Sequence, residues 1–337
     1  TVVSGKMPAE NVEVTVTYTK RSDLSYTVHY YWNGTTESVK PSETFGNQTY
    51  QDKVTKSPAA IDGYTAVSKD SKTITIGTGA NVIIFYYYKN VELTANSKTE
   101  TYDGTEKSVS GFTGAPADAD FSAITVGAKG TEADTYPASF ADGTVGTVDA
   151  TEKYIVTAAN DGTLVITPVE EVIVTITGHN DSVKYDGATH TVDGYDVAID
   201  NELYTEQDFT FSGSSTVSGT NAKTSYEMGL KAGDFTNNSK NFTNVTFQVT
   251  DGYLTITKRN VTLTSGSDSK AYDGTPLTKN EVTVSGDGFA EGEGASYNVT
   301  GTITNVGSVK NTFTYTLNEG TLADNYNIAP IPGDLTL

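Results

Sequence analysis

One sequence pattern occurs three times: a segment of alternating apolar and polar residues, then a Tyr-Asp-Gly triplet, then a second alternating segment that closes the unit. This repetition constrains the fold more than any other feature. An alternating run such as Val172-Ile173-Val174-Thr175 precedes each triplet, and a Gly-containing turn followed by a strand such as Tyr253-Leu254-Thr255-Ile256 closes each repeat. Alternation of apolar and polar residues is typical of strands with one buried face, and Asp-Gly favours tight turns. The triplets, for which we predict a structural turn role, are Tyr102, Asp103 and Gly104; Tyr185, Asp186 and Gly187; and Tyr272, Asp273 and Gly274.

The residue types support β-structure throughout. The chain has 56 Thr, 21 Tyr and 32 Gly but only 2 Met and 1 Trp. β-Branched and aromatic residues fit pleated strands, whereas Gly favours turns. We therefore predict an all-β chain, built as a tandem array of small antiparallel, immunoglobulin-like β-sandwiches, with a minor α+β contribution from a β-grasp-like first module.

Charge and composition exclude several classes of function. The chain has 22 Lys and Arg against 42 Asp and Glu, a net charge of −20, which repels phosphate backbones and anionic lipid. It contains no Cys and three His, and no apolar run approaches the roughly 18 residues of a membrane span. We expect no nucleic-acid partner, no membrane insertion, no metal and no cofactor.

The repeats resemble a known class. The motif with Val-x-Leu-Thr, Tyr-Asp-Gly-Thr and Leu-Thr-Ile-Thr is similar to the mostly-β, Gly-rich YDG (MBG-type) repeats of secreted proteins from Gram-positive gut bacteria. On this resemblance we place repeat 1 at 91–170, repeat 2 at 171–258 and repeat 3 at 259–337.

The amino-terminal part has a different pattern. Tyr26 to Trp32 alternates and runs into an Asn33-Gly34 turn, and a second aromatic strand spans 81–89. This order resembles the mucin-binding-protein (MucBP) module of bacterial adhesins, which implies a β-grasp-like fold over 22–90 and mucin glycans as ligands. Residues 1–21 are similar to the closing strand of a preceding β-grasp repeat.

The junctions between modules are short, for example Lys89-Asn90 and Lys258-Arg259-Asn260. A closing strand that runs almost directly into the next first strand leaves few free torsions, unlike a Gly/Ser tether. We expect an elongated, stiff and monomeric rod.

The aromatic runs supply the candidate ligand-binding residues. Neighbouring side chains on a strand point to opposite faces, so only half of each run can be core. Tyr and Trp on an open face suit stacking against sugars or a flat protein surface. We name Tyr31, Trp32 and Tyr88, although alternation alone does not decide which Tyr of 86–88 faces outward, and the rings could instead fill both faces of a small sheet.

Other chemistry has weaker support. Acidic residues such as Asp118, Asp120 and Asp149 lack the spacing of a Ca²⁺ loop and indicate a solvated acidic surface. An internal Lys–Asn amide bond, for example between Lys270 and Asn311, is a hypothesis. No nucleophile with its base and no phosphate loop is recognisable, so we expect no enzyme.

Together these features predict a non-enzymatic adhesin, secreted and held at the bacterial cell wall. Its expected partner is a host mucin glycan or a host glycoprotein such as an immunoglobulin, bound through exposed β-sheet faces or edges. The alternative is a purely structural stalk whose binding modules lie elsewhere.

Overall fold

A computed structural model describes residues 13–337, and these residues are almost entirely β-structure. They form many small sheets and three short 3₁₀ turns, and this described part contains no α-helix. The predicted all-β, sandwich-type fold class is confirmed. The chain divides into two compact units, Thr1–Thr167 and Pro168–Leu337.

The first module is a mixed sheet whose two central strands are parallel. Its strands are β1 (Leu24–Trp32), β2 (Ser38–Gln48), β3 (Lys53–Lys56), β4 (Tyr64–Ala66), β5 (Lys72–Thr75) and β6 (Val82–Ala95). Strand β1 pairs in parallel with β6, and β2 and β4 flank this pair in antiparallel register. Strands β3 and β5 form a separate antiparallel pair, although β4 lies between them in the chain. Residues 22–90 contain no helix, so the minor α+β contribution predicted for this module is not found, and the module is built from strands alone.

Alternation along β1 and β6 builds the core of this module. Tyr26, Val28 and Tyr30 of β1 are buried, as are Phe85 and Tyr87 of β6. These side chains lie on one face of the sheet, which leaves the intervening residues on the other face.

The residues that precede β1 form no strand between 13 and 23. Val14, Val16 and Tyr18 are exposed there by 74%, 61% and 88%. The remainder of the closing strand predicted for 1–21 falls on residues 1–12, which lie outside the described residues.

Repeat 1 shares a strand with the first module. Its strands after β6 are β7 (Lys98–Thr101), β8 (Lys107–Ser110), β9 (Phe112–Thr113), β10 (Gly127–Gly130), β11 (Asp134–Ala138), β12 (Tyr154–Asn160) and β13 (Gly162–Thr167). Strand β6 pairs with β1 up to Tyr87 and with β12 from Lys89 onward. The predicted junction at residues 89–90 therefore lies in the middle of one continuous strand.

Repeats 2 and 3 make up the second unit. Repeat 2 contains β14 (Val169–Gly178), β15 (Asn180–Lys184), β16 (His190–Asp193), β17 (Tyr195–Ile199), β18 (Phe209–Phe211), β19 (Thr216–Gly219), β20 (Lys223–Glu227), β21 (Phe235–Asn237), β22 (Phe242–Thr250) and β23 (Tyr253–Thr257), with 3₁₀ turns at Glu206–Asp208 and Ala232–Asp234. Repeat 3 contains β24 (Arg259–Ser265), β25 (Asp268–Ser269), β26 (Val282–Gly286), β27 (Ala295–Val299), β28 (Ser308–Asn311), β29 (Phe313–Leu317), β30 (Tyr326–Ile331) and β31 (Gly333–Thr336), with a 3₁₀ turn at Ala323–Asn325.

The same topology recurs in all three repeats. The first strand lies between an antiparallel and a parallel neighbour, giving the orders β9-β6-β12, β17-β14-β22 and β26-β24-β30. The closing strand is central in a second sheet, giving β11-β13-β7, β20-β23-β15 and β28-β31-β25. The repeated sequence motif thus corresponds to a repeated strand arrangement.

One glycine in each repeat permits a close approach of these two sheets. A Cβ atom at Gly162, Gly252 or Gly333 would lie 2.4 Å from the backbone oxygen of Asn96, His179 or Ser265 respectively. No side chain fits at that distance, so Gly is required at the first residue of the closing strand in repeats 1 and 3 and immediately before it in repeat 2. This contact explains the glycine that precedes every closing strand in the sequence.

The core of the second unit is continuous across the boundary between its repeats. Tyr185, Leu254 and Ile256 of repeat 2 belong to the same buried cluster as Leu263 and Tyr326 of repeat 3. Burial of apolar area stabilises a domain by about 25 cal/mol per Å². Part of the burial that stabilises each of these repeats is therefore supplied by the other.

Candidate functional site

The outer face of the first module carries a row of aromatic side chains, which we call the outer aromatic face and define as His29, Tyr31, Tyr86 and Tyr88. Tyr31 is paired in register with Tyr86, so both side chains lie on the face opposite the core. Tyr88 follows two residues later on the same side of β6. Of the sequence candidates, the structure therefore places Tyr31 and Tyr88 on one face and adds Tyr86 and His29 to them.

Ring contacts fix the geometry of this face. His29 and Tyr31 are stacked, with centroids 5.4 Å apart and an interplanar angle of 9°, and the Tyr86 ring is 6.4 Å from Tyr31. Tyr86 is 38% exposed, and a 2.6 Å hydrogen bond to Ser42 Oγ orients His29 through Nδ1. The result is a row of partly exposed, mutually supported rings on a rigid sheet.

Polar groups lie beside one end of this face. Ser68, Asp70 and Lys72 line a shallow recess next to Tyr86. The Ser68 hydroxyl donates to Asp70 Oδ2 at 2.9 Å, and the Lys72 ammonium donates to the Ile84 carbonyl at 2.7 Å. An aromatic ring is thus flanked by a carboxylate acceptor and an ammonium donor, a combination that can orient a hydroxylated ligand.

Trp32, the third sequence candidate, lies elsewhere. It is paired in register with Tyr87 and contacts repeat 1, with its indole ring edge-on to Tyr154 at 5.5 Å. Its Nε1 donates to the Lys153 carbonyl at 2.9 Å, and Asn33 Nδ2 donates to the Glu152 carbonyl at 2.7 Å. The structure does not bring Trp32 together with Tyr31 and Tyr88, and its observed contacts join two modules.

A buried carboxylate supports the loop that receives Trp32. Asp149 is 2% exposed and accepts hydrogen bonds from the backbone N–H groups of Asp120, Thr151, Lys153 and Tyr154 at 2.8–3.2 Å. Burial disfavours its charge, but a hydrogen bond from the Thr151 hydroxyl together with these backbone hydrogen bonds outweighs that effect and holds the pKa of Asp149 below its ordinary value. The carboxylate thereby positions the Lys153 carbonyl that Trp32 uses.

The boundary between repeats 2 and 3 is built in a similar way around Tyr185. The Tyr185 ring is 4% exposed and edge-on to Tyr326 of repeat 3 at 5.6 Å. The Tyr185 and Tyr326 hydroxyl groups both donate to the carboxylate of Glu293, and the distance from the Tyr326 hydroxyl to Glu293 Oε2 is 2.7 Å. Burial and these contacts raise the pKa of Tyr185 to about 12, and burial raises the pKa of Tyr326 to about 12.

Two cations complete this second junction. The Arg259 guanidinium donates to the carbonyls of Gly288 at 2.8 Å and Tyr185 at 3.2 Å, and it also contacts the Asp287 carbonyl. The Lys184 ammonium pairs with the Asp287 carboxylate, and this contact holds the pKa of Asp287 below its ordinary value. Repeat 3 therefore binds the Tyr185 segment through an arginine, a carboxylate and an aromatic ring.

The three Tyr-Asp-Gly triplets share a turn but differ in the burial of their tyrosine. Gly104, Gly187 and Gly274 have φ angles of 78°, 85° and 81°, a region that favours glycine. Asp103 and Asp273 each accept from the backbone N–H two residues later at 2.9 Å, as Asp186 does. By contrast, the tyrosine is buried at 185, half-buried at 102 and 58% exposed at 272.

The remaining sequence candidates have ordinary structural partners. Asp118 accepts from the Tyr154 hydroxyl at 2.7 Å. Lys270 pairs with Asp273, whereas the buried Asn311 amide donates to the carbonyls of Gly266 and Lys279, so the Lys270 and Asn311 side chains have different partners. Within residues 13–337, no group of three or more His, Asp or Glu is arranged to hold a metal ion.

No protein family matches the chain, and a comparison with curated proteins finds no match. Over residues 13–337, none of the helical segments has the length and apolarity needed to cross a membrane.

Sequence reasoning missed the residues that receive Trp32 and Tyr185. Tyr154 and Tyr326 each open the strand that runs parallel to the first strand of their repeat, opposite Lys89 and Arg259 respectively. An aromatic residue at that position in both repeats was the available signal. Its partner lies more than 100 residues away in both cases, so the pairing is not visible from local patterns.

Proposed function

We propose that this chain is a non-enzymatic adhesin segment of a secreted, wall-associated bacterial surface protein, and that its first module binds a host mucin glycan. The observation that carries the proposal is the outer aromatic face, where the stacked His29 and Tyr31 rings continue into the 38% exposed ring of Tyr86. Large rings that are left partly open on a sheet are typical of binding surfaces.

The arrangement suits a sugar better than a charged ligand. The C–H-bearing face of a pyranose packs on an aromatic ring, and its hydroxyls need donors and acceptors at the edge of the ring. Asp70, Ser68 and Lys72 offer such groups beside Tyr86. The net charge of −20 would disfavour a strongly anionic partner, which favours neutral terminal sugars within a mucin chain.

A spacer role for the sandwich repeats is the second candidate, and a specific observation favours it. The buried cluster that includes Tyr185, Leu263 and Tyr326 crosses the boundary between repeats 2 and 3. Such a boundary resists bending because bending would expose buried apolar area. In this candidate the repeats hold a binding surface at a distance and do not bind host molecules themselves.

The test immobilises the full chain and measures retention of neutral mucin glycans and of serum and secretory glycoproteins. Tyr31→Ala and Tyr86→Ala should each reduce glycan retention at least tenfold, because each removes a ring from the face. Tyr253→Ala is the matched control, since Tyr253 is 41% exposed on repeat 2 and should leave retention unchanged.

Each alternative predicts a different result. Retention of a glycoprotein that survives enzymatic removal of its glycans would replace the glycan by a protein ligand. If the chain retained neither glycans nor glycoproteins, the spacer role would be the only one of the two that remains. Loss of retention with Trp32→Ala but not with Tyr31→Ala would move the binding surface to the boundary with repeat 1.

A further inference from the structure

Two module boundaries in this chain use the same docking geometry. In each, an aromatic side chain of the preceding module lies edge-on to the tyrosine that opens the parallel strand of the following repeat. The pairs are Trp32 with Tyr154 at 5.5 Å and 75°, and Tyr185 with Tyr326 at 5.6 Å and 86°. In both, the receiving repeat also accepts a hydrogen bond from that aromatic side chain. The Lys153 carbonyl accepts from Trp32, and the Glu293 carboxylate accepts from Tyr185.

Tyr272 occupies in repeat 3 the position that Tyr185 occupies in repeat 2. Each follows the strand that pairs in parallel with the closing strand, and each opens a Tyr-Asp-Gly turn with a positive φ at Gly. The turn at Tyr272 is held internally, since Lys270 donates to Asp273 at 2.9 Å and to Thr275 Oγ1 at 2.6 Å. The Tyr272 ring is nevertheless 58% exposed, whereas the Tyr185 ring is 4% exposed.

We infer that the Tyr272 surface is a docking site for a further sandwich repeat that carries the receiving groups of repeat 3. Those groups are an arginine at the start of the first strand, a glutamate in the position of Glu293 and a tyrosine in the position of Tyr326. The occupant follows from continuity with the internal junction, because repeat 3 binds Tyr185 through these three side chains.

The chemistry of the Tyr272 surface matches such a partner. The exposed phenol supplies a hydroxyl for a carboxylate and a ring for an edge-on aromatic contact. One element of the internal junction has no equivalent, because Ala271 stands immediately before Tyr272 where Lys184 stands before Tyr185. The ion pair between Lys184 and Asp287 is therefore not reproduced, and docking at Tyr272 depends on the tyrosine and the arginine. This inference is independent of any ligand on the outer aromatic face.

The experiment appends a second copy of residues 257–337 directly after Leu337, which gives the new junction the chain length of the internal one. Disulfide trapping then reports docking, and the natural absence of cysteine makes the result unambiguous. A Cβ at Gly187 would lie 3.9 Å from the Cβ of Ala290, a separation that a disulfide spans. The fusion contains Ala290 twice, once in the original repeat 3 and once in the appended copy. Gly187→Cys combined with Ala290→Cys in the original repeat 3 is thus the positive control for the internal junction.

The test pair is Gly274→Cys with Ala290→Cys in the appended copy, and the readout is the rate of intramolecular disulfide formation. We expect a rate within about tenfold of the positive control, and a reduction of at least tenfold when Tyr272→Ala is added. The strain of Cys at a positive φ is common to both pairs, so it does not bias the comparison. The positive control, prepared in the same fusion, shows that repeats 2 and 3 remain docked there, and an additional unfolding enthalpy in calorimetry relative to the original chain shows that the appended copy is folded.

Three results would overturn the inference. The first is a disulfide-formation rate for the test pair that equals the rate of a reference pair, Gly274→Cys with Ala290→Cys of the original repeat 3. The second is no effect of Tyr272→Ala on the rate. The third is dimerisation of the original chain in sedimentation that Tyr272→Ala abolishes, because the occupant would then be a second copy of the chain.

Discussion

The two described junctions place an aromatic ring edge-on to a tyrosine but stabilise that contact with different chemistry. At the first, the neutral indole of Trp32 donates to a backbone carbonyl, and the modules also share strand β6. At the second, the carboxylate of Glu293 joins two tyrosine hydroxyls, and Arg259 and Lys184 add charge. At the first junction the Lys153 ammonium lies 5.6 Å from the centroid of the Trp32 ring, so its charged contact is with a ring and not with a carboxylate. Because the backbone pairing of β6 with both β1 and β12 also joins these modules, we expect the first junction to depend less on charge than the second.

The largest expected effect distinguishes a docked tyrosine from a free one in the same motif. Tyr185→Ala should lower the free energy of unfolding of the second unit by about 3 kcal/mol, because it empties a buried aromatic site. It should also separate the unfolding of repeats 2 and 3 in calorimetry. Tyr272→Ala, the matched control, should change stability by about 0.5 kcal/mol or less because its ring is 58% exposed. Equal losses from both variants would contradict the docking role of Tyr185.

Glu293→Gln tests whether the second junction depends on its charge. The substitution replaces two charge-assisted acceptors with one amide oxygen and should cost about 2 kcal/mol in denaturant unfolding. Glu291→Gln, an exposed change two residues away, is the control and should be neutral within about 0.5 kcal/mol. If the two variants unfold at the same denaturant concentration, the carboxylate bridge contributes nothing.

Alkaline pH should weaken the second junction through its tyrosines. The pKa of Tyr326 is about 12 in the folded chain against about 10 when unfolded, so the folded state favours the protonated phenol. This contribution is fully present below pH 10 and is lost as pH rises through about 12. At pH 11 the wild type should have lost about 1.4 kcal/mol relative to its stability at pH 9 from this group. Tyr326→Phe should lose correspondingly less between pH 9 and pH 11; an identical loss would show that Tyr326 does not titrate with folding.

The smallest expected effect is at the first junction. Trp32→Phe keeps most of the ring contact with Tyr154 but removes the indole N–H that donates to the Lys153 carbonyl. The first unit should lose about 1 kcal/mol in denaturant unfolding. Tyr185→Phe, which removes a hydrogen bond to a carboxylate, should cost the second unit about twice as much. The reverse order would mean that the shared strand does not reduce the first junction's need for charged contacts.

Much of the fold could be predicted from local patterns. Alternation placed strands at 26–32 and 81–89, and the recurring Gly before each closing strand corresponds to the sheet contact at Gly162, Gly252 and Gly333. The outer face was less predictable, because alternation requires every second ring to face outward but does not set the phase. The register of Tyr31 with Tyr86, and the burial of Tyr87 between its neighbours, resolved that phase.

The position of Trp32 could not be predicted in this way. Its indole N–H donates to the Lys153 carbonyl, which is 121 residues further along the chain and lies on a loop that Asp149 holds in place. Period-2 patterns describe which face a residue occupies but carry no information about what another module presents to that face. Tyr185 is a similar case, since the same triplet leaves its tyrosine buried at 185 and exposed at 272.

Strand β6 has a consequence for how this protein can be rearranged. Because Val82–Ala95 is a central strand of the one sheet that joins the first module to repeat 1, a recombination breakpoint at residues 89–90 would leave each product with half of that strand. The first module and repeat 1 should therefore be inherited and transplanted as a pair, and gene shuffling that preserves folding should cut outside that pair.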